Sequence, residues 1–435
     1  MLEIIFLVLV GIMLAYLVRH YVFTLTVLKN TGRGYTNCPH TVTFEPSVSI
    51  LIPACNEERV IGRILKRMSE LSYPINKLQV IVIDDASADA TGAIADQFAR
   101  SCSRIEVLHR NQSEGRRGKA SALNAGLKEA KGEVVLCFDA DYYPNRDIVQ
   151  KLVKEFGDPE VGAVQGRVTV LNEPKSLVTR LVALERIGGY RVDQEARDKL
   201  GLIAQFGGTV GGFRRDLLES LGAWDESILA EDTDITYRVY LAGYRVRYVG
   251  DAECYEEAVE TWRAYWRQRY RWSRGHMQCA FKHTWNVITS RKLGLKSKID
   301  AILLLHVYYV PILVLLSWII SVPLVLNSSP WLSLGWSVIP FSIYSFVGNS
   351  APFFEVGTGA FLDGRTRANW LISLLMFTFL YNIPICTKAF VDLMLSKILG
   401  RKTASWHKTA HSGDGNSYIM RENGYKPKML HWKMI

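Results

Sequence analysis

The chain of 435 residues is long enough for one large catalytic domain with additional elements, since single domains usually contain about 100 to 200 residues. Apolar residues make up 49% of it and the formal net charge is +10. The apolar residues concentrate near both ends with basic residues beside them, which favours a membrane protein over a nucleic-acid-binding one. The seven cysteines are odd in number and lack CxxC spacing, which indicates reduced thiols rather than a metal site.

The first predicted element is an apolar run over residues 2–28, which Arg19 and His20 divide. About 20 apolar residues are enough to cross a bilayer. The basic residues follow the first part of the run instead of preceding it, which favours an uncleaved span at residues 1–28 over a signal peptide. Because basic residues flank the cytoplasmic end of a span, Arg19, Lys29 and Arg33 predict a cytoplasmic domain after it.

Strands and helices alternate in the next region, which we define as a domain over residues 47–260. Short continuous apolar runs are typical of strands buried on both faces. This alternation predicts an α/β domain with a Rossmann-like, mostly parallel sheet, in which ligands bind beyond the carboxyl ends of the strands. The predicted strands are residues 48–53, 80–83, 105–108 and 134–138, and the predicted helices are 58–71, 90–100 and 120–130.

Acidic residues follow three of the predicted strands. Glu57 comes after the first strand, Asp85 after the second, and Asp139 and Asp141 after the fourth. Alternate positions on an extended segment put the carboxylates of Asp139 and Asp141 on one side. Their hard oxygens suit Mg²⁺ or Mn²⁺ that also binds phosphate, whereas the alternative is an ordinary solvated loop.

Lys119 and a glycine-rich segment are weaker signals. Lys119 directly precedes the predicted helix 120–130 and, taken alone, is also explained as a solvated helix start. Gly208 and Thr209 lie in the sequence FGGTVGGF, which suits a turn or a close approach of the backbone to a ligand. His276 and the other histidines lack metal-ligand spacing, and we interpret them as structural or surface residues.

Two carboxylates, Glu231 and Asp232, precede a short helical pattern at residues 235–241. A carboxylate in this position can act as a general base that takes the proton from an attacking hydroxyl group. The alternative is that Asp232 is only the N-cap of the helix, where its oxygen accepts hydrogen bonds from the first free N–H groups.

Gln268, Arg271 and Trp272 are spaced so that they share one face of a helix within residues 261–298. The guanidinium group of Arg271 suits phosphate, and the indole of Trp272 offers an apolar platform for a sugar ring. The many Trp and Arg residues of this segment also suit an amphipathic helix at a membrane surface. Both interpretations stay open.

The C-terminal part of the chain contains a membrane region, residues 299–396, and a basic tail, residues 397–435. The long apolar runs are residues 301–326, 331–350 and 369–393. Three complete crossings would put the tail outside the cell, yet its positive charge favours the cytoplasm. We therefore expect one run to be interfacial or re-entrant, most simply around Pro340, Pro352 and Gly357.

Six motifs occur in order between residues 47 and 278. They are PACNEE (53–58), DDAS (84–87), GKASALN (118–124), DAD (139–141), ED (231–232) and QRYRW (268–272). Together they resemble the membrane-embedded branch of the family 2 glycosyltransferases, which includes cellulose, chitin, hyaluronan and poly-N-acetylglucosamine synthases. The resemblance implies a GT-A fold for the α/β domain.

This resemblance also implies roles for single residues. The implied nucleotide-sugar site consists of Glu57, Asp85, Lys119, Asp139, Gln268 and Arg271. Asp139 and Asp141 would hold Mn²⁺ or Mg²⁺ with the donor diphosphate, and Asp232 would be the catalytic base. The implied acceptor site consists of Gly208, Thr209, Glu231 and Trp272.

The predicted reaction transfers a sugar from a nucleotide-diphosphate donor, with UDP-sugars first in line, to a growing β-linked polysaccharide. It inverts the anomeric carbon and is coupled to export across the cell membrane, with the catalytic domain in the cytoplasm. Non-processive transfer to a membrane lipid is the alternative, and a catalytically silent scaffold is a third. The expected partners are the donor, a polysaccharide or lipid acceptor, membrane lipids and an oligomer or accessory subunit, without nucleic acid.

Overall fold

The computed structural model describes residues 1–31, 44–113, 115–326, 349–400 and Gly413. In these residues eight strands form one mixed sheet with the order β3-β2-β1-β4-β7-β6-β8-β5. The strands are β1 (Val48–Ala54), β2 (Leu78–Asp85), β3 (Ile105–Arg110), β4 (Val134–Cys137), β5 (Tyr143–Pro144), β6 (Val161–Val170), β7 (Gly211–Arg214) and β8 (Arg245–Glu256). All of them belong to the predicted α/β domain.

The first half of the sheet is parallel, as the alternation of strands and helices predicts. β1 pairs in parallel with β2 and β4, and β2 with β3. Their apolar side chains share one buried core with the helices that connect them. The helices of the domain are α2 (Ile61–Ser69), α3 (Thr91–Ser101), α4 (Lys119–Glu129), α5 (Ile148–Val153), α6 (Leu177–Arg186), α7 (Glu195–Leu200), α8 (Arg215–Ser220) and α9 (Glu231–Ala242), with a π-helix at Ile187–Gln194.

The second half of the sheet is mixed because β7 runs antiparallel between β4 and β6. A Cβ at Gly211 would lie 2.1 Å from the carbonyl oxygen of Val164, and one at Gly212 would lie 1.9 Å from that of Val135. These backbones approach so closely that β7 has no room for side chains at either position. Gly211 and Gly212 therefore belong to a strand that is tightly packed between β4 and β6, and the ordinary-turn interpretation is wrong for them.

Helices flank the domain at both ends. They are α1 (Leu2–Lys29), α10 (Trp262–Thr289), α11 (Leu295–Leu305), α12 (Val310–Leu326), α13 (Asn349–Leu362) and α14 (Leu375–Ile398). By length and composition, three described segments could cross a membrane: Leu2–Lys29, Val307–Leu324 and Trp370–Ile398. These agree with three of the four predicted apolar runs. The other run, residues 331–350, lies outside the described residues except for its last two.

The described part of helix α13, Asn349–Leu362, contains Pro352 and Gly357. Asp363, which follows it, forms ion pairs with Arg167 of β6 and with Arg191. The C-terminal end of α13 therefore lies against the α/β domain, and the predicted interfacial or re-entrant segment stays a prediction. Pro340 lies outside the described residues.

Helix α14 packs along α10. Tyr270 Oη donates to Asp392 Oδ2 at 2.6 Å, and Arg274 Nη2 donates to Ser396 Oγ at 2.9 Å. Beyond α14, the N–H group of Gly413 donates to Glu257 Oε2 at 3.2 Å. This residue of the basic tail therefore lies on the same side as the α/β domain, while most of the tail is outside the described residues.

Candidate active site

One cavity of about 1270 Å³ lies beyond the carboxyl ends of β1, β2 and β4 and continues between the flanking helices. Every site residue that the sequence predicts lines this cavity. These residues are Glu57, Asp85, Lys119, Asp139, Asp141, Gly208, Thr209, Glu231, Asp232, Gln268, Arg271 and Trp272. The fold therefore brings together side chains that are up to 215 positions apart, from Glu57 to Trp272.

Asp85 lies at the end of β2 and has two fixed partners. Arg110 Nη1 donates to Asp85 Oδ1 at 2.5 Å, and the N–H group of Arg116 donates to Asp85 Oδ2 at 3.0 Å. Burial raises the pKa of Asp85, and Arg110 acts in the opposite direction. Glu57 is fixed through its backbone, because its N–H group donates to Thr91 Oγ1 at 2.7 Å.

Lys119 and Asp139 form an ion pair in the wall of the cavity, with 2.5 Å between Nζ and Oδ1. Burial favours the neutral amine, but the carboxylates of Asp139 and Glu231 outweigh it and raise the pKa of Lys119 to about 12. Lys119 is therefore a cation at neutral pH. The N–H group of Asp139 also donates to Thr209 Oγ1 at 3.1 Å, which joins the segment after β4 to the glycine-rich segment.

Asp141 is buried two residues further along. Its carbonyl oxygen accepts a hydrogen bond from Arg63, whose Nη1 also lies 2.7 Å from Glu257 Oε1. Among the described residues no cluster of three His, Cys, Asp or Glu side chains has metal-binding geometry. Two carboxylates nevertheless fit Mg²⁺ or Mn²⁺, because these ions are commonly held by one or two carboxylates together with substrate phosphates.

Asp232 is the second residue of α9, and Ala230 is the N-cap. The N-cap interpretation of Asp232 is therefore wrong. Asp232 packs against the backbone of Gly208, where a Cβ would lie only 3.2 Å from Asp232 Oδ2. Gly208 also has φ +83°, a backbone conformation that glycine adopts without steric cost. The glycine-rich segment thus supports one side of the Asp232 carboxylate.

Glu231 lies beside Asp232 at the start of α9 and is buried. Burial and the neighbouring Asp232 raise the pKa of Glu231 to about 7, although Lys119 and Arg271 act in the opposite direction. A carboxyl group with a pKa near neutrality changes its charge with small changes in its surroundings. A bound anion or cation would therefore alter the protonation of Glu231.

Trp272 of α10 contacts two guanidinium groups, and both of these are ion-paired. Its ring centroid lies 4.6 Å from Arg269 Cζ and 5.2 Å from Arg186 Cζ, within the range of cation–π contacts. Arg269 in turn pairs with Glu185, and Arg186 Nε lies 2.5 Å from Glu256 Oε1. The indole that lines the cavity is therefore rigidly placed.

Two other tryptophans of α10 have different surroundings. The rings of Trp262 and Trp266 contact Tyr381 of α14, with centroids 5.2 Å and 5.5 Å apart. Neither tryptophan lines the cavity, whereas Gln268, Arg271 and Trp272 do. Trp262 and Trp266 thus pack on α14, whereas the indole of Trp272 forms part of the cavity wall.

His276 is a cavity residue that the sequence interpretation missed. Its Nε2 lies 3.3 Å from Thr233 Oγ1, and its ring lies 4.7 Å from that of Tyr308. Burial lowers the pKa of His276, and Asp232 opposes this. The signal was present in the sequence, because His276 is four residues after Trp272 and eight after Gln268, on the same helical face.

Comparisons with known proteins agree with this geometry. The sequence model of the family described as "Glycosyltransferase like family 2" matches residues 46–275. A probable glycosyltransferase of Bacillus subtilis, YdaM, is 40% identical over 265 residues, which are 61% of this chain and 61% of that protein. A beta-monoglucosyldiacylglycerol synthase of Synechocystis is 32% identical over 299 residues, 67% of this chain and 61% of that protein.

The chain thus spans about three fifths of the length of these two relatives. A longer match is to the poly-beta-1,6-N-acetyl-D-glucosamine synthase of Staphylococcus epidermidis, which is 25% identical over 85% of this chain and 88% of that protein. The solved structure of the mannosyltransferase PcManGT from Pyrobaculum calidifontis, in complex with GDP-Man and Mn²⁺, has a TM-score of 0.55 and 25% identity. This structural match covers 83% of this chain and 99% of the PcManGT chain. The GT-A fold is thereby confirmed, and the chain belongs to the family 2 glycosyltransferases.

Proposed function

We propose that the protein transfers a sugar from a nucleoside-diphosphate donor to a hydroxyl group of a membrane lipid, with inversion of the anomeric carbon. The proposal of a lipid acceptor rests on the side chains that line the cavity between the flanking helices. This lining is mainly aliphatic and aromatic, and its polar members include Ser317, Ser321 and Asn382. The apolar members are Phe6, Val10, Met13, Val314, Leu375 and Phe379. A sugar chain would lose hydrogen bonds there, at about 1–3 kcal/mol for each unsatisfied buried group, whereas acyl chains would not.

The donor belongs at the carboxyl ends of the strands. Glu57 and Asp85 would contact the nucleotide, and Lys119 supplies a buried cation beside Asp139. Asp139 and Asp141 would hold Mn²⁺ or Mg²⁺ together with the diphosphate oxygens. The ion, when bound, neutralises charge on the diphosphate as it leaves.

Asp232 is the proposed general base. It takes the proton from the acceptor hydroxyl as that oxygen forms a bond to the anomeric carbon. The bond between this carbon and the diphosphate oxygen breaks on the opposite face, so the configuration inverts and a nucleoside diphosphate leaves. Gln268 and Arg271 bind the diphosphate, and Trp272 supports the acceptor end of the cavity together with Gly208, Thr209 and Glu231.

The α/β domain would face the cytoplasm. Lys29 ends α1 on the side from which the chain enters this domain, and basic residues flank the cytoplasmic ends of spans. The same side receives Gly413 of the basic tail. An integral protein of the cell membrane in this orientation meets its donor in the cytoplasm and its acceptor in the adjoining leaflet.

A β-linked polymer is the second candidate product. The poly-beta-1,6-N-acetyl-D-glucosamine synthase matches more of this chain than the glycolipid synthase does, 85% against 67%. The fixed indole of Trp272 at the wall of the cavity would also suit a sugar acceptor.

Product analysis separates the two candidates. The purified full-length protein in lipid nanodiscs would receive radiolabelled UDP-glucose, UDP-galactose, UDP-N-acetylglucosamine or GDP-mannose with Mn²⁺ or Mg²⁺ and dioleoylglycerol. Under the proposal, one donor labels a chloroform-soluble product whose mass equals one lipid plus one sugar. Water-soluble labelled chains of many sugars, without this glycolipid, would overturn it and establish the polymer.

A further inference from the structure

Arg19 of α1 lines the cavity, and two of its three guanidinium nitrogens make no hydrogen bond within the described residues. Only 9% of its side chain is exposed, yet its Nε and Nη1 atoms lack hydrogen-bond partners within the described part of the chain. The third nitrogen, Nη2, lies 3.8 Å from Asp193 Oδ2, which is an ion-pair distance beyond hydrogen-bond length. Buried donors without partners are rare and costly, so this position suits ligand oxygens.

The position of Arg19 relative to the membrane limits the chemical class of its ligand. Asp193, the neighbour of Arg19, belongs to the π-helix of the catalytic domain. Arg19 is therefore near the polar boundary of the leaflet that adjoins the catalytic site, where lipid headgroups begin.

The charges around Arg19 balance. Asp193 Oδ1 lies 3.0 Å from Arg197 Nε, and Asp300 Oδ2 lies 2.5 Å from Arg197 Nη1. Two guanidinium groups, those of Arg19 and Arg197, therefore face the two carboxylates of Asp193 and Asp300. This cluster has no net positive charge with which to bind a phosphate strongly.

The remaining neighbours of Arg19 do not add positive charge. His20 forms an ion pair with Glu355 of α13, which is neutral when the imidazole is protonated and negative when it is not. The rings of Tyr16 and Phe23 lie 5.8 Å and 5.4 Å from Arg19 Cζ and give it apolar walls. The surroundings suit an uncharged group that presents oxygen atoms, because such a group accepts hydrogen bonds without adding an unbalanced charge.

We infer that Arg19 binds the uncharged headgroup of the acceptor lipid, through hydrogen bonds to hydroxyl or ester oxygens like those of diacylglycerol. This inference rests on the lipid acceptor proposed above and adds the chemical class of its headgroup. Arg19 holds the headgroup at the membrane boundary, in the same cavity that Asp232 lines. The acyl chains then extend along the aliphatic part of the lining.

Acceptor kinetics test this inference in the full-length protein, reconstituted in phosphatidylcholine nanodiscs with increasing dioleoylglycerol. Arg19→Gln should raise the KM for dioleoylglycerol at least about tenfold, the loss expected for hydrogen bonds to a charged group. The KM of the sugar nucleotide should stay within about twofold. Arg19→Lys, which keeps the charge and some donors, should restore part of the affinity. Lys29→Gln, which removes an exposed charge from the same helix, should behave like the wild type.

Three results would overturn the inference: an unchanged acceptor KM in Arg19→Gln, equal changes in both KM values, or stronger competition by phosphatidic acid in the wild type than in this variant. The last would indicate an anion site.

If the wild type forms no glycolipid, the proposed function fails, and labelling by a photoreactive diacylglycerol decides the role of Arg19 separately. Weaker labelling in Arg19→Gln than in Lys29→Gln supports the binding role. Equal labelling of the two variants overturns it. Unfolding temperatures and nucleotide binding show whether Arg19→Gln and Arg19→Lys are folded.

Discussion

Replacing Gly208 with alanine would test whether the Asp232 carboxylate takes part in the reaction. The new Cβ would lie 3.2 Å from Asp232 Oδ2 and 3.3 Å from Asp232 Cβ, so the Asp232 side chain must move by a few tenths of an ångström. Gly222 offers a matched control. Its φ of +82° is nearly that of Gly208, +83°, but a Cβ there has nothing within 4 Å among the described residues.

Both substitutions should lower the free energy of unfolding, but only Gly208→Ala should also slow turnover. A residue with a Cβ costs roughly 1–2 kcal/mol in the left-handed region, so both variants should lose about this much stability. Displacing a reacting group by 1 Å costs about 10²-fold in rate, so a smaller shift of Asp232 should slow turnover about tenfold in Gly208→Ala. Turnover in Gly222→Ala should remain within about twofold of the wild type.

The measurements are the initial rate of sugar transfer at saturating donor and acceptor, the dissociation constant of the nucleotide and the unfolding temperature. Nucleotide affinity should be preserved in both variants, because neither substitution adds atoms beside Glu57, Asp85 or Lys119. If Gly208→Ala and Gly222→Ala lose turnover equally, the loss reflects stability alone. The reasoning about the position of Asp232 would then be wrong.

Four further predictions concern other groups in the cavity. Asp141→Ala should abolish transfer and weaken nucleotide binding, and full wild-type activity in excess chelator would contradict the metal role. Asp232→Asn should bind nucleotide normally but lose turnover by about 10²-fold or more, and retained turnover would refute the base. Because burial raises the pKa of Glu231 to about 7, folding favours its protonated form, and that stabilisation is lost as the pH rises through 7. The unfolding temperature of Glu231→Gln relative to the wild type should therefore rise between about pH 5 and about pH 8, and a constant difference would contradict this. Trp272→Ala should stop transfer while leaving nucleotide binding intact, whereas Trp262→Ala should lower mainly stability; equal, mild losses would support a lipid-anchor role for both.

The elements that the sequence predicted well are those with strong local patterns. The four predicted strands correspond to β1, β2, β3 and β4. Continuous apolar runs are typical of strands covered on both faces, as β1, β2 and β4 are, whereas β3 lies at the edge of the sheet. Helix α9 ends at Ala242, one residue after the predicted pattern 235–241, and Gly243 with φ +96° follows it. Its start was less visible: α9 begins at Glu231 rather than at residue 235, because polar residues in the first turn hide the helical period.

The composition of the cavity was predictable only where motifs mark it. Glu57, Asp85 and Asp139 follow strands, so the rule for parallel sheets brings them to one edge. Arg186 has no such mark, because it contacts Trp272 only through the packing of α6 against α10. Arg19 was interpreted from its charge beside an apolar run, and its missing hydrogen bonds become visible only when the domain covers it.

The sequence by itself determined the membrane character of the chain, the α/β domain and the residue types at the ends of its strands, because these depend on neighbours within a few positions. Only the tertiary structure decided that β7 packs tightly between β4 and β6 and that Lys119 pairs with Asp139. It also decided that the cavity continues between the flanking helices, where most lining side chains are apolar. Each of these depends on the distance between segments far apart in the chain. Distance and burial also set the near-neutral pKa of Glu231, and neither quantity is encoded in any local pattern.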